Sequence, residues 1–171
     1  VDHQDFIHRA DTLAALGQNV LISNFRRFHR LSAYLARYTN RPLGIALGAS
    51  KLAEILDPAF YNEDEGGLLG GLGQLFRNRS RLYVHPSLDF NTGRIVTADN
   101  YAPPSGLEHL YAHLRATGCI RGVSGHNPDL LRIRSRDVLE KIASGDPSWE
   151  SMVAPEIIEI VKRKRLFGWK G

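Results

Sequence analysis

The sequence predicts an α/β fold, a small and mainly parallel sheet of three to four strands flanked by helices, with a helical C-terminal part. Three observations predict it. Val20-Leu21-Ile22, Leu43 to Leu47 and Arg81 to Val84 are short apolar runs that read as buried strands. The first two are each followed by a segment of helical period, which is the spacing of right-handed βαβ units. Beyond residue 105 the patterns are chiefly helical.

The elements follow in chain order. Phe6, Ile7, Ala10, Leu13, Ala14 and Leu16 recur at helical spacing over residues 4–16, and Gly17 stops that helix. After the strand at Val20 to Ile22, a second helix runs over residues 24–38 until Thr39-Asn40-Arg41-Pro42 breaks it. The strand from Leu43 to Leu47 leads into a helix from Ser50 to Leu56, ended by Asp57-Pro58. The segment from Gly66 to Phe76 sets five glycines among leucines at helix-compatible spacing. Each interior glycine costs a helix roughly 1 kcal/mol against Ala, so something other than propensity favours it: close packing against another backbone is the first reading, a ligand-approach loop or a flexible lid the alternatives. After the third strand, Asn91-Thr92-Gly93 signals a turn and Ile95-Val96-Thr97 a short return strand or an edge piece. A helix follows over residues 106–116, and then a loop-like stretch from Cys119 to Asn127 in which Cys119 to Arg121 is compatible with one short strand. Ser135 reads as the cap of a helix reaching Ala143 and ended by Gly145-Asp146-Pro147. Pro155 opens the last helix, to about Arg165, and the aromatic tail Leu166-Phe167-Gly168-Trp169 is expected to dock back.

With 171 residues, 43% of them hydrophobic and 23% charged, the chain is expected to form one domain over residues 1–171 around a single core. It opens on Val, so it reads as a processed chain or as a region of a longer protein. The net charge of +4 comes from 22 Lys and Arg against 18 Asp and Glu. It is compatible with RNA, acidic proteins, anionic lipid or nucleotides, and selects none. Residues 57–65 are acidic and residues 162–165 are all basic. A lone Cys119 excludes an internal disulfide and a cysteine-rich zinc site. No apolar run reaches the ~18 residues of a membrane span, and the compartments expected are the cytoplasm or an organelle matrix.

Ligands of open parallel sheets bind beyond the carboxyl ends of the strands, where helix N-termini attract anions. The candidate ligand-binding residues are therefore Ser23, Asn24, Arg26 and Arg27 after the first strand, Gly48, Ser50 and Lys51 after the second, and His85 after the third. The hydroxyl and amide groups would orient a phosphate or carboxylate and the basic groups would supply charge. If these turns form one site, Arg26, Lys51 and His85 converge. Helix capping by Asn24 and Ser50, with solvated basic side chains, explains the same residues.

Other constellations are weaker. His109 and His113 lie four apart on one helix, but Glu108 precedes them and the zinc-protease order is absent, so no metal site is assigned. Gly122-Val123-Ser124-Gly125-His126 matches only half of a Gly-x-Ser-x-Gly elbow and reads as a flexible loop. Lys162-Arg163-Lys164-Arg165 with Phe167 and Trp169 could contact nucleic acid, yet a basic helix C-terminus is favoured electrostatically in any protein. The glycine-leucine segment has neither nucleotide-loop fingerprint. No cofactor and no catalytic residue are assigned.

Taken together, Val20-Leu21-Ile22-Ser23-Asn24-Phe25, Arg37-Tyr38-Thr39, Gly66-Gly67-Leu68-Leu69, Leu82-Tyr83-Val84 and Gly145-Asp146-Pro147-Ser148-Trp149-Glu150 resemble a bacterial family of uncharacterised proteins. Its members carry labels such as TonB-dependent receptor or nicotinate-nucleotide adenylyltransferase. The receptor label implies a barrel of alternating strands, which the helical periods here do not match. The second label implies an α/β nucleotide-binding architecture, but its His-x-Gly-His signature is missing and no residue is carried over from it. The expectation is a domain that binds a phosphorylated small molecule or nucleotide at the strand ends, within an enzyme or not. The alternative is a structural or protein-interaction subunit of a larger complex, organellar or otherwise, docking through Gly66 to Phe76 and Lys162 to Trp169.

Overall fold

The computed structural model describes residues 3–62 and 66–171; Glu63, Asp64 and Glu65 of the acidic stretch lie outside the described residues. Seven α-helices and five strands follow one another as α1 (His3–Ala15), α2 (Phe28–Leu35), β1 (Gly44–Gly48), α3 (Leu52–Ile55), α4 (Gly67–Leu75), β2 (Arg81–His85), β3 (Ser87–Leu88), β4 (Ile95–Val96), α5 (Glu108–Ala116), β5 (Ile120–Gly122), α6 (Ser135–Ser144) and α7 (Pro155–Lys164) among the described residues. The chain divides into two compact units, Asn24–Asn127 and the pair of segments Val1–Ser23 and Pro128–Gly171.

The Asn24–Asn127 unit holds the α/β architecture. Its parallel sheet has the order β1-β2-β5, with Gly44 opposite Arg81, Gly48 opposite His85, and Leu82 to Val84 opposite Ile120 to Gly122. Alternation along β2 buries Leu82 and Val84 completely and exposes Tyr83 and His85, as period-two side-chain placement requires. The buried face meets Leu47, Leu52, Leu56, Leu75 and Ile120 in one cluster. Each such leucine withdrawn from water contributes roughly 1.5–3 kcal/mol. A second, antiparallel pair is made by β3 and β4, with Ser87 opposite Val96, so the expected return strand forms.

The glycine-rich segment is the helix α4, and α2 packs on it. Ser32 is buried and its hydroxyl donates to the Leu75 carbonyl at 3.1 Å, so the end of α4 is held by α2. A β-carbon at Gly71 would lie 2.1 Å from the Tyr61 ring. That ring is fixed in turn, because the Tyr61 hydroxyl donates to the Ile55 carbonyl at 2.7 Å and the ring stacks at 4.9 Å on His29. Close packing therefore offsets the low helix propensity of this segment.

The other unit is helical, with Val138, Ile142, Trp149 and Val161 as its buried cluster. Gly145 ends α6 in the left-handed region at φ 77°, where it meets no steric penalty. Pro155 sits in the first turn of α7, as its missing N–H allows. The tail docks as expected. Trp169 meets Trp149 edge-on at 5.8 Å, Lys162 Nζ lies 5.9 Å above the Trp169 ring and 2.6 Å from Glu150, and the Phe167 N–H donates to His8 Nδ1 at 3.3 Å. Lys141 Nζ binds Asp146 Oδ2 at 2.7 Å and Ser148 Oγ at 2.5 Å, while the Ser148 N–H donates to Asp146 Oδ1. These bonds, the lysine's above all, hold the Asp146 carboxyl at about 2.

Several local expectations are corrected. Val20-Leu21-Ile22 is not a strand: it has no ladder partner among the described residues, and Leu21 and Ile22 are 67% and 60% exposed. A β-branched run is a strand only where another strand completes its hydrogen bonds. The helix expected from residue 24 starts at Phe28, and residues 24–26 are irregular. The helix expected from Ser50 opens with a 3-10 turn over Ala49–Lys51. Ser135 is the first residue of α6 rather than its cap, a place taken by Arg134 without a side-chain bond. On α1 the apolar stripe is largely uncovered, with Phe6, Ile7 and Leu13 all exposed. No helix among the described residues is long and apolar enough to cross a membrane.

Two substitutions in α4 separate packing from propensity. Gly71→Ala is expected to destabilise the protein by about 1–3 kcal/mol through overpacking on Tyr61. Gly73→Ala, where a β-carbon meets nothing within 4 Å, is expected to stabilise it by up to roughly 1 kcal/mol. Urea unfolding of both variants reads the difference, and equal effects would remove Tyr61 as the cause. In the helical unit, Asp146 titrates below its ordinary 3.8, at about 2. Its contribution is therefore complete above that ordinary value and is lost as pH falls through the lower one. Near-ultraviolet circular dichroism of Trp149 is expected to report a transition between pH 4 and 2 that Asp146→Asn abolishes.

Candidate functional site

Parallel pairing puts the carboxyl ends of β1, β2 and β5 on one edge, which brings Gly48, His85 and Gly122 together as neighbours in the sheet. After β1 the chain turns at once into the 3-10 segment Ala49–Lys51. After β2 it turns into the β3–β4 hairpin. The two turns meet across Gly48, where a β-carbon would stand 2.7 Å from Ser87 Oγ and 3.7 Å from Ser50 Oγ. Glycine at this position thus keeps two hydroxyls close to the backbone at the strand end.

Both hydroxyls open on a cavity of about 560 Å³, whose other walls include Phe90, Arg94, Asn100 and Tyr101. That volume lies within the usual range for small-molecule sites. The hairpin wall is built by Asp89, whose carboxylate accepts from the Asn91 N–H at 2.9 Å and the Thr92 hydroxyl at 2.7 Å. The Thr92 bond chiefly holds its pKa below the usual carboxylate value. Asp89 is therefore engaged in the turn. The Asn100 wall is built likewise: its Oδ1 accepts from the Thr97 N–H at 2.8 Å and its Nδ2 donates to the Ile95 carbonyl at 2.9 Å. Behind it the Tyr111 hydroxyl donates to the Ala98 carbonyl at 2.6 Å, and burial pushes that hydroxyl's pKa up to about 12. A rigid, neutral anchor results.

Two histidines stand at the same edge. His85 Nδ1 lies 2.8 Å from the Pro86 carbonyl oxygen. A carbonyl only accepts, so Nδ1 carries the proton and the neutral ring keeps its lone pair on Nε2. His126 approaches with its ring 6.2 Å from that of His85, at 72°, and its own Nδ1 is buried without a hydrogen-bond partner. The loop that carries His126 leaves β5 after Val123, whose N–H still donates to the Val84 carbonyl of β2 at 2.9 Å. Gly122-Val123-Ser124-Gly125-His126 is therefore tethered to the sheet at its start.

Comparison of the chain with protein-family models, curated proteins and solved structures returns no match. Its chemistry is to be read from these residues alone.

The sequence-predicted residues are distributed unevenly around this edge. Gly48 and Ser50 adjoin the cavity and His85 stands at the end of the neighbouring strand. Lys51 forms an ion pair with Glu54. Arg26 and Arg27 line a separate small cavity of about 20 Å³ that Glu54 and Phe60 also line, with the Arg27 guanidinium 5.7 Å above the Phe60 ring. Ser23 and Asn24 are exposed in irregular chain. No hydrogen bond or ion pair among the described residues joins Arg26 or Lys51 to His85. The reason is local: without a strand at Val20 to Ile22, nothing carries residues 23–27 to the carboxyl edge.

The structure adds Ser87, Arg94, Asn100, Tyr101 and His126, none of which the sequence singles out for this site. The signal for His126 was present in the strand-compatible residues Cys119 to Arg121, which put its loop at a strand end. His109 and His113 lie on the exposed side of α5, and no group of three or more His, Cys, Asp and Glu residues is placed to hold a metal among the described residues.

The Pro86 bond fixes an observable. Long-range proton–nitrogen correlation spectra at neutral or higher pH are expected to show His85 as the Nδ1–H tautomer. Dominance of the Nε2–H form would mean that the bond is not made and that Nε2 is not presented as an acceptor.

Proposed function

We propose that the carboxyl edge of the sheet binds a phosphorylated small molecule of nucleotide size. The observation that carries this reading is the cavity at the strand ends, in which an apolar, aromatic wall faces two hydroxyls held across Gly48. Phe90 and Tyr101 suit a ring, and Ser50, Ser87 and Arg94 suit an anionic group. His85 Nε2 at the neighbouring strand end supplies an acceptor when neutral and a donor when charged. The wall is pre-organised by Asp89, Asn100 and Tyr111, which limits the ordering cost of binding. This reading keeps Gly48, Ser50 and His85 of the residues expected from sequence and leaves out Arg26 and Lys51, which keep company with Glu54 instead.

An interaction module is the less supported reading. Its two docking segments spend most of their apolar side chains within their own units: Leu72 and Leu75 of the first are buried, as is Leu166 of the second, and Trp169 lies against Trp149, while Leu69 alone of the first segment's leucines is exposed.

Calorimetric titration of the chain with adenosine, AMP and ADP, and with ribose and ribose 5-phosphate, separates the contributions. Saturable binding of at least one phosphorylated compound is expected, at least tenfold tighter than that of its unphosphorylated counterpart. Ser87→Ala combined with Arg94→Gln is expected to remove most of that difference. Equal affinity for the phosphorylated and unphosphorylated members, or no binding of any at millimolar concentration, would defeat the proposal.

A further inference from the structure

We infer that the opposite, amino edge of the same sheet carries a second site, which binds a small dianion such as a phosphate ester or a polycarboxylate. The site is a cavity of about 550 Å³ lined by Arg37, Asn40, Gln74, Arg77 and Asn78, together with Ala33 and Ala36. Two guanidinium groups and three carboxamides line it, and among the described residues no carboxylate does. Because β1 and β2 run parallel, the chain segments that enter them lie on one side. Arg37 and Asn40 precede β1, and Arg77 and Asn78 precede β2.

The two entering segments are bolted to each other below the cavity. The Arg81 N–H donates to the Leu43 carbonyl at 2.8 Å, and the Leu43 N–H approaches Ser80 Oγ at 3.4 Å. Ser80 is buried, and its hydroxyl donates to the Arg77 carbonyl at 2.7 Å. Within this bolted turn, Asn78 and Arg79 both hold left-handed backbone, at φ 55° and 60°. Such a conformation is unfavourable for arginine and persists only where its surroundings impose it. The result is a rigid turn that places Arg77 and Asn78 beside Arg37.

Charge points the same way. Residues 24–53 and 66–88 contain no Asp or Glu at all, yet Arg37, Arg41, Arg77, Arg79 and Arg81 all fall around the two strand entries. Among the described residues no ion pair engages Arg37 or Arg77. At most surfaces arginines are interspersed with carboxylates; here the guanidinium groups line a concave space with no counter-charge among the described residues. Guanidinium groups match phosphate and carboxylate oxygens in paired hydrogen bonds, and carboxamides both donate and accept, so a dianion bearing further polar groups is the ligand class. This site shares no lining residue with the carboxyl-edge cavity, and the inference does not rest on the proposed function.

Amide proton–nitrogen spectra of the labelled chain, titrated separately with inorganic pyrophosphate and with citrate, test it. Saturable shifts are expected at residues 37–40 and 74–80, and the tighter of the two probes names the source, phosphate or carboxylate. Arg37→Gln with Arg77→Gln is expected to weaken that probe at least tenfold. Arg163→Gln with Lys170→Gln, which lowers net charge equally, is expected to change it less than twofold. Because both arginines are exposed, an unchanged spectrum elsewhere establishes that the first variant folds. Non-saturable shifts with both probes, equal loss in the two double variants, or shifts confined to Gly48, Ser87 and Arg94 would each overturn the inference.

Discussion

The parallel pairing of β1 with β2, residue for residue from Gly44 and Arg81 to Gly48 and His85, is the constraint on which the rest of the Asn24–Asn127 unit depends. Parallel strands cannot be joined by a tight turn, so the chain between them must cross over, and here the crossover includes α3 and α4. That crossover brings Leu52, Leu56 and Leu75 against Leu82 and Val84. It also fixes polarity: every residue that follows a strand lies at one edge, and every residue that precedes one lies at the other. A one-residue slip would turn Leu82 and Val84 away from the core and expose them, and would part Gly48 from His85 at the same time. Burial and site geometry are thus set by the same register.

The two edges differ because the segments at each carry different chemistry. At the carboxyl edge the connections are short and hydrogen-bonded to themselves, through Asp89 and Asn100, and their cavity-lining residues are apolar or neutral apart from Arg94 and the turn-bound Asp89 carboxylate. At the amino edge the segments entering β1 and β2 are arginine-rich and free of carboxylates. The Coulomb energy of an exposed pair is small in water, so an arginine cluster gains little from its own geometry. Its effect is on a ligand that spends time in the concave space between the guanidinium groups, where solvent screening is weaker.

Much of this fold was legible in the sequence, and the parts that were not share a cause. β1, β2 and β5 were readable from short apolar runs, α5 to α7 from their periods with Gly145 and Pro155 as punctuation, and the tail from its aromatic residues. These signals are local and agree with the packing. Val20-Leu21-Ile22 was misread because a strand is completed by its neighbour, and no local pattern reports whether a neighbour exists. The glycine-rich α4 was ambiguous for the converse reason, since Tyr61 is what makes Gly71 favourable, and that contact bridges ten residues of chain with no periodic signature. The carboxyl-edge site was half legible. Gly48, Ser50 and His85 follow strands directly, whereas Ser87, Arg94 and His126 reach the edge through the hairpin and the sheet order, neither of which spacing alone specifies.

Loss of the strand at Val20 to Ile22 also decides which basic groups can serve the carboxyl edge. Lys51 sits in the turn that the sequence reads as an anion cradle, but its ammonium is engaged by Glu54, one turn further along the same segment. Arg26 and Arg27 lie with that same carboxylate and with Phe60. An anion at the strand ends would have to draw Lys51 away from an existing partner, and the gain from one exposed charge exchanged for another is slight. Arg94 is different: it lines the cavity, and no ion pair among the described residues occupies it. In the proposed reading, recognition at that edge falls to one guanidinium, two hydroxyls and, from the neighbouring strand end, a histidine whose acceptor nitrogen is set by the Pro86 carbonyl. Such a set would suit a single phosphate with a defined orientation. The two arginines of the amino edge, without hydroxyls or an aromatic wall, suit more charge with less shape.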